Sequence, residues 1–529
     1  MVNASSNLPE DYWQNLHIGK QDLDFAYNYL FDTEIPLTET DLVPVLVTER
    51  IRIERESRIS QRRGSGKVYI PKDDYKVGEH LVFPGLSWKK GIVKNVRPGK
   101  NPDINHFKVI TVEFDDKTMQ LFASGLSEHK LNIPVEVGDD DPLFHLDNVM
   151  KEYGASLETR LVSALDQDNN LVRIAGRWFP RALLVDVNVG HLNLAEAVLD
   201  EANGHPLPTT ALLDQVELPA DVNPKLVEFS MNFALQEDSR FDEVGPAGEV
   251  YWCLKRLEPD DVKQVPVPLR YSPIEYDRSH LTDEIHAFDG EIDDELAEAQ
   301  DQDVFQEDVI LTLSYPHWRS GTLPISSRVK RLFPTAYESP RVRFTLVDAQ
   351  TNQEMPGWVV RQHRYVSGLR QFYEKYGVFP GSLISIKKGK KPGQVVISAK
   401  SRRQTRDWIR TVLVGSDGGL VFALLRQNIS TEYNEQMVVY VTDVDGVDRA
   451  SAQAAKGRLE FGQIVKQMMR ELIKLNVQGH VHARELYSVV NIIRRCPPAP
   501  LLVFLMSQPD ITHVGDLYFR LVDPEANHA

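Results

Sequence analysis

The sequence predicts a multidomain α+β protein: repeated modules of three helices closed by a hairpin, together with two small β-barrels. Three observations carry that prediction. The apolar period switches along the chain between about 3.6 and 2 residues, which separates helical blocks from strand blocks. One pattern recurs: QPDITHVGDLYFRL at 508–521 parallels EDSRFDEVGPAGEVYWCL at 237–254, each with an Asp, an apolar residue, Val-Gly and an aromatic strand. Repetition of a unit is a stronger signal than either copy alone. The charge also reverses locally. Residues 309–415 hold nineteen Lys and Arg against five acids, +14, in a chain of net charge −16, so the rest sums to −30.

At 529 residues the chain exceeds one hydrophobic core, and roughly three to five domains are expected. Its 42 % hydrophobic and 26 % charged content is that of globular protein. No run of about 18 apolar residues exists, so no membrane span is expected. The opening MVNASSNLPEDYW lacks a basic and an apolar region, so no signal peptide is read. Cys253 and Cys496 lie far apart in apolar surroundings, which predicts buried reduced thiols and excludes a disulfide framework. A cytoplasmic protein is the expectation.

Residues 1–60 read as a helical half-module, with Phe25, Tyr29 and Leu30 at helical spacing and Thr40-Asp41 capping a second helix through Arg55. Gln61–Gly66 reads as a flexible basic loop. Residues 68–133 change to period two, as in Gly91-Ile92-Val93-Lys94-Asn95-Val96, with Gly and Pro turns between short strands. YKVGEHLVFP and KKGIVKNV resemble the small SH3-like or Tudor-like barrels of transcription and repair proteins, which implies partner binding.

Residues 139–190 give two helices and a hairpin at Leu171–Ile174 and Arg177–Phe179, the grammar of a winged helix. Residues 191–270 repeat it, with helices at 194–199, 211–216 and 224–236. HPLPTTALL, DSRFDEVG and YWCL there resemble the helix-turn-helix domain of the bacterial RNA polymerase delta subunit. The reading surface of that copy, with Leu212, Asp214, Glu217, Lys225, Glu228 and Glu237, is acidic, so RNA polymerase or another protein subunit fits it better than DNA. Residues 416–460 read as a strand-containing connector, ending in a polar stretch at 450–456. Residues 461–529 read as a further winged-helix-like module.

Residues 271–308 read as an acidic linker. Between 275 and 308 it carries fourteen acids against Arg278, with Asp293-Asp294-Glu295 at its centre, the composition of a solvated segment. Next to it, 309–415 alternates with period two around one helix, GLRQFYEK, capped by Ser367 and ended at Gly377.

A clustered positive field attracts polyanions. Arg offers a planar fork for guanine acceptors, while Lys and further Arg neutralise phosphates. Lys387, Lys388, Lys390 and Lys391 form a Gly- and Pro-flanked tip, which suits phosphates, and Lys400, Arg402, Arg403 and Arg406 follow. LPISSRVKRLFPTAYESPRVRFTLVD followed by GWVVRQHRYVSGLRQFYEKYGVFPGSLISIKKG resembles a DNA-binding pseudobarrel, a family of plant transcription-factor domains and restriction-endonuclease effector domains. That resemblance implies two arms on the DNA: Ser326, Arg328, Lys330 and Arg331 in one, Arg361, His363 and Arg364 in the other. The bland alternative is a solvated or partner-facing basic surface. A gating hypothesis joins the two, with the −13 linker folding onto the +14 barrel and competing with DNA.

Pro102-Asp103 with Asp115-Asp116-Lys117 superficially fits a metal nuclease, but so charged a chain offers such matches by chance. His480, His482 and Glu485 read as a helix start rather than metal ligands, and Trp178, Trp252, Trp358 and Tyr518 as core. No phosphate-binding Gly loop or nucleophile elbow occurs. The expectation is a non-enzymatic DNA-binding protein, a transcription regulator on double-stranded DNA, with no cofactor, metal or catalytic residues. The alternatives are the recognition component of a restriction or defence system, or a structural adaptor.

Overall fold

The computed structural model describes residues 9, 11–63, 66–83, 86, 89–101, 107–132, 142–216, 218, 222–297 and 306–522. They form two units, Met1–Arg173 with Arg177–Leu184, and Ile174–Gly176 with Val185–Ala529. The architecture is mixed α+β, with fourteen α-helices and six sheets among the described residues.

In the first unit α1 (Lys20–Thr33), β1 (Leu37–Thr38) and α2 (Glu39–Arg63) lead into five strands, β2 (Lys67–Val68), β3 (His80–Phe83), β4 (Lys89–Pro98), β5 (Lys108–Phe114) and β6 (Met119–Ser124). α3 (Leu146–Leu165) and a hairpin, β7 (Leu171–Ile174) with β8 (Arg177–Pro180), follow, and β1 pairs with β8. Leu30, Leu42 and Leu46 share one core with Val149, Leu157, Leu161 and Trp178. The expected separate pieces at 1–60 and 139–190 are therefore halves of one module, with the five-stranded sheet inserted between α2 and α3. The apolar face of α2 is only partly covered by α1 and buries the rest of itself against α3. Thr38, two residues ahead of the expected cap, exchanges bonds with Asp41: Asp41 N donates to Thr38 Oγ1 (3.2 Å) and Thr38 N to Asp41 Oδ2 (3.3 Å). α2 runs through Arg63, so the expected basic loop is helix as far as that residue, and Gly64 and Ser65 lie outside the described residues. Tyr75, Leu81, Phe83, Val93, Ile110 and Val112 fill the five-stranded sheet's own core.

The second unit opens with the same element order. α4 (Val189–Glu201), β9 (Leu207–Pro208), α5 (Thr209–Leu213) and α6 (Pro224–Glu237) precede β10 (Phe241–Glu243) and β11 (Tyr251–Leu254), and β9 pairs with β11. Asn223 caps α6 at the amide of Lys225, with Pro224 in the first turn, where its missing N–H costs nothing. Then come α7 (Asp260–Lys263) and α8 (Asp283–Ile292).

A seven-stranded sheet curls into a half-barrel. Its members are β12 (Asp308–Thr312), β13 (Thr322–Pro324), β14 (Arg341–Asp348), β15 (Glu354–Val360), β16 (Tyr365–Ser367), β17 (Leu383–Lys388) and β18 (Gln394–Ala399), with α9 (Tyr315–Ser320) and α10 (Arg370–Tyr376) packed on it. The order is β12-β17-β18-β14-β15-β16-β13, with β14 and β18 parallel. Alternate residues such as Val342, Phe344 and Leu346 point into one core, which is why period two was legible here. Gly377 ends α10 in the left-handed region (φ 61). Ser367 does not cap the helix; it lies in β16 and donates to Asp261.

The sheet stops at Lys400. β19 (Ser401–Val414) pairs along its length with β20 (Leu420–Thr431) as a long hairpin, and β21 (Tyr440–Val441) adds a short parallel strand. α11 (Val444–Lys456) occupies the expected polar connection. The chain then repeats the module order: α12 (Phe461–Ile473), β22 (Val481–His482), α13 (Ala483–Ile493), α14 (Pro498–Ser507), β23 (Ile511–Gly515) and β24 (Tyr518–Leu521), with β22 pairing β24.

The expected solvated linker is part of this last core. Thr282 caps α8, and Ile285 and Phe288, both buried, pack with residues of α13 and α14. Each such side chain contributes on the order of 1.5–3 kcal/mol. Asp293, Asp294 and Glu295 are 5 %, 7 % and 5 % exposed. No single helix among the described residues is long and apolar enough to cross a membrane. Cys253 and Cys496 are both buried free thiols, and burial pushes the Cys253 thiol up to about 11.

Candidate nucleic-acid interface

The sheet register sorts the candidate cations into two groups. β13 ends at Pro324 beside Tyr365 of β16, and Arg341 of β14 lies opposite Val360 of β15. The stretch 325–331 and the turn 361–364 therefore emerge at one end of the half-barrel. They touch: Ile325 N donates to Arg364 O (2.7 Å), and Arg361 N to Pro340 O (2.9 Å). Arg361 also donates to Ser339 O (2.7 Å), and Arg364 turns the chain with φ 51. Lys330, Arg331, Arg361, His363 and Arg364 are exposed, and Arg328 is half-buried. Ser326 is different. It is 2 % exposed and donates to Asp293 Oδ2 (2.6 Å), so it anchors its arm instead of facing solvent.

The lysine tip points toward the same end. Gln394, the first residue of β18, pairs in parallel with Thr345, four residues into β14. Residues 389–393 precede it as a tight turn, with Gly389 N donating to Gln394 O (2.8 Å) and Gln394 N to Lys391 O (3.2 Å), so the tip turns toward the arms from near the level of Thr345, four residues short of Arg341. Lys388, Lys390 and Lys391 are exposed, and Lys387 pairs with Asp308 at 2.7 Å. The remaining candidates sit at the opposite end, about 20 Å away along the six residues of β18. There Lys400 is half-buried, Arg402 pairs with Asp407 and lies over the Tyr433 ring, and Arg403 and Arg406 are exposed on the hairpin.

Sequence reasoning missed two hairpin residues. Trp408 is 62 % exposed, and Arg426, its cross-strand partner, lies over its ring at 5.1 Å. The signal was available, because Arg406, Trp408 and Arg410 alternate, but the charge run hid the boundary at Lys400. At least six of the nineteen cations are ion-paired within the chain: Arg319, Arg341, Lys375, Lys387, Arg402 and Arg410. Arg343 is tucked over the Trp358 ring, where burial lowers its pKa. The usable field is accordingly smaller than +14.

Behind the arms lies a buried polar network. Arg495 Nη2 donates to Asp294 Oδ1 (2.5 Å) and Glu295 Oε1 (2.7 Å), and Arg495 Nη1 to Asn491 Oδ1 (2.9 Å). Tyr487 donates its hydroxyl to Asp294. His317 joins Glu295 Oε2 through Nε2 (3.0 Å) and Thr322 Oγ1 through Nδ1 (2.9 Å). Burial alone would raise the Glu295 pKa, but the charges of Arg495 and His317 prevail and hold its carboxyl below the usual range. Arg364 Nη1 donates to the Glu295 carbonyl (3.1 Å), which ties the network to the second arm.

The other constellations resolve locally. Asp116 pairs with Lys89 (2.9 Å) and accepts from Thr118, while Pro102 and Asp103 lie outside the described residues. His482 Nδ1 accepts from Arg484 N and Glu485 from His482 N, a capping box that starts α13. Trp178, Trp252 and Trp358 are buried, and Tyr518 is half-buried between His480 and His482. On the second module Asp214 and Glu237 are exposed and Leu212 is core, while Glu217 lies outside the described residues. No protein-family model, no curated protein and no solved structure matches this chain.

Proposed function

We propose that this protein is a non-enzymatic, modular DNA-binding protein that regulates transcription, contacting duplex DNA through the arm-and-tip end of its half-barrel. One observation carries the reading. Two arms distant in sequence meet at one end of a single sheet, and a lysine tip turns toward that same end, so that Arg forks and flexible Lys can share base and phosphate contacts. On this reading the half-barrel is a DNA-binding pseudobarrel. The three modules of matching element order are winged helices, and the five-stranded insert is an SH3-like barrel. The acidic surface of the second module suits a protein partner such as RNA polymerase or a neighbouring subunit.

The test is fluorescence anisotropy with a random duplex across a salt series. Each phosphate contact contributes about −0.9 to the slope of log K against log salt. Replacing Lys388, Lys390 and Lys391 together by Ala should flatten that slope by about 2–3. An unchanged slope would remove the tip from the interface. If instead Arg403→Ala with Arg406→Ala abolishes binding while the tip variant is neutral, DNA lies on the hairpin.

A further inference from the structure

A cleft of about 960 Å³ opens inside the second unit, between the turn Val267–Leu269 and α9 on one side and α11, α12 and α13 on the other. Its walls include the apolar side chains of Val267, Leu459 and Ile492, and its polar lining is dominated by arginine. Arg319 is taken by Asp448 at 2.6 Å. Arg270, Arg370, Arg458 and Arg494 also line it, and none of them forms an ion pair among the described residues. Glu460 is the other acid in the lining. Weak contacts hold three of these side chains in place: Arg270 Nε donates to Val265 O (3.1 Å), Arg370 Nη2 to Ser320 O (3.3 Å), and Arg494 lies over the Phe461 ring at 5.8 Å.

A second observation is independent of charge. Ser320 Oγ and Arg495 Nε belong to residues that line the cleft, each residue 3 % exposed, and both atoms are buried without a hydrogen-bond partner. A buried donor left unpaired is unfavourable, so such atoms mark places where a partner from outside is expected. Guanidinium forks match phosphate oxygens in geometry and charge. Apolar walls suit an organic body, and sites of roughly 300–1,000 Å³ hold ligands of drug or nucleotide size.

We propose that this cleft binds an organic phosphate of nucleotide size, its phosphates held by Arg370, Arg458 and Arg494 and its organic part against Val267 and Ile492. The site joins the half-barrel, through α9 and Arg370, to the C-terminal module, and it does not rest on the DNA reading.

Isothermal titration of the full chain with ADP tests it, with adenosine, pyrophosphate and citrate as comparison probes. ADP should bind with a micromolar Kd, and Arg370→Ala and Arg494→Ala should each weaken it about tenfold or more. Adenosine should not bind at about 1 mM, because it lacks the phosphates. Arg458 is exposed, so Arg458→Ala keeps the test available should either other variant misfold. Any of four results overturns the proposal: no heat with ADP up to about 1 mM, unchanged affinity in folded arginine variants, citrate binding as tightly as ADP, or displacement of ADP by a short duplex.

Discussion

Replacing Arg495 by Met removes one guanidinium from between two buried carboxylates and leaves its volume nearly filled. The side chains of Asp294 and Glu295 are 2 % and 5 % exposed, and that of Arg495 is 1 % exposed. With Arg495 gone, Asp294 keeps Tyr487 and Glu295 keeps His317, but neither retains a permanent positive partner. Breaking a buried ion pair by removing one partner costs about 3–5 kcal/mol. The two pairs share one guanidinium, so their costs do not add. Because every 1.4 kcal/mol is tenfold, local opening should rise between about a hundredfold and several thousandfold. Hydrogen exchange by mass spectrometry on the full chain reads this directly, in peptides from 283–297 and 483–507, with 189–201 as the internal control. Adding Asp294→Asn and Glu295→Gln to Arg495→Met should restore most of the protection, since the stranded charges are the cost. Exchange within about threefold of wild type in the single variant would refute the reasoning. A triple variant no better than the single would assign the loss to packing.

Two further outcomes follow from single positions. Glu258 is 3 % exposed, and burial pushes its carboxyl up to about 8 despite Arg341 at 2.9 Å. A folded pKa above the ordinary value of 4.5 means that this group's stabilisation is full below that value and is lost as pH rises through about 8. Glu258→Gln should therefore be near neutral at pH ~5 and stabilising by about 1–3 kcal/mol at pH ~9, read from urea midpoints; an unchanged pH slope counts against it. Gly368 sits at φ +114, and a Cβ there would lie 2.3 Å from Pro356 O. Gly368→Ala should cost about 2–4 kcal/mol in urea unfolding, and a loss below about 0.5 would show that the β16–α10 joint yields freely.

What could be read in the sequence depended on how far each residue's partners lie along the chain. The third helix of the second module was expected at 224–236 and spans Pro224–Glu237, because Asn223, Pro224 and the apolar face are local signals. The half-barrel strands showed their period for the same reason. Asp293, Asp294 and Glu295 could not be placed, since Arg495 lies about 200 residues downstream and composition alone described solvated acids. The face carrying Ile285 and Phe288 was present, but fourteen acids around it dominated the pattern. The first module was cut in two by the inserted sheet, so its halves carried no common signal. Charge misled at Lys400, where the basic run continues from the half-barrel into the hairpin although the pairing changes. Charge counting also ignores pairing, and the ion pairs of Arg319, Arg341 and Arg410 are visible only in three dimensions.

Those contacts change how gating by the acidic segment can be tested. Deleting 280–305 would remove Ile285, Phe288 and both carboxylates of the buried network, and so would report on folding. Point variants separate the roles. Besides the Glu295 carbonyl that accepts from Arg364, two carboxylates among the segment's described residues meet the basic end: Asp293 accepts from Ser326 and from Ser327 (3.1 Å), and Asp308 pairs with Lys387. Asp293 is buried and already satisfied, so it braces the first arm and repels little. Asp308 is 41 % exposed and withholds a lysine. Asp308→Asn should strengthen duplex binding about twofold at low salt, the size of one charge acting over about 10 Å of water, and the gain should fade as salt rises. Asp293→Gly keeps the left-handed backbone (φ 54) and removes the brace. It should weaken duplex binding several-fold at every salt concentration, because a loosened arm must be ordered on contact. A competing acidic segment requires the opposite sign. Tighter binding by Asp293→Gly would make this segment an inhibitor and end its role as a scaffold.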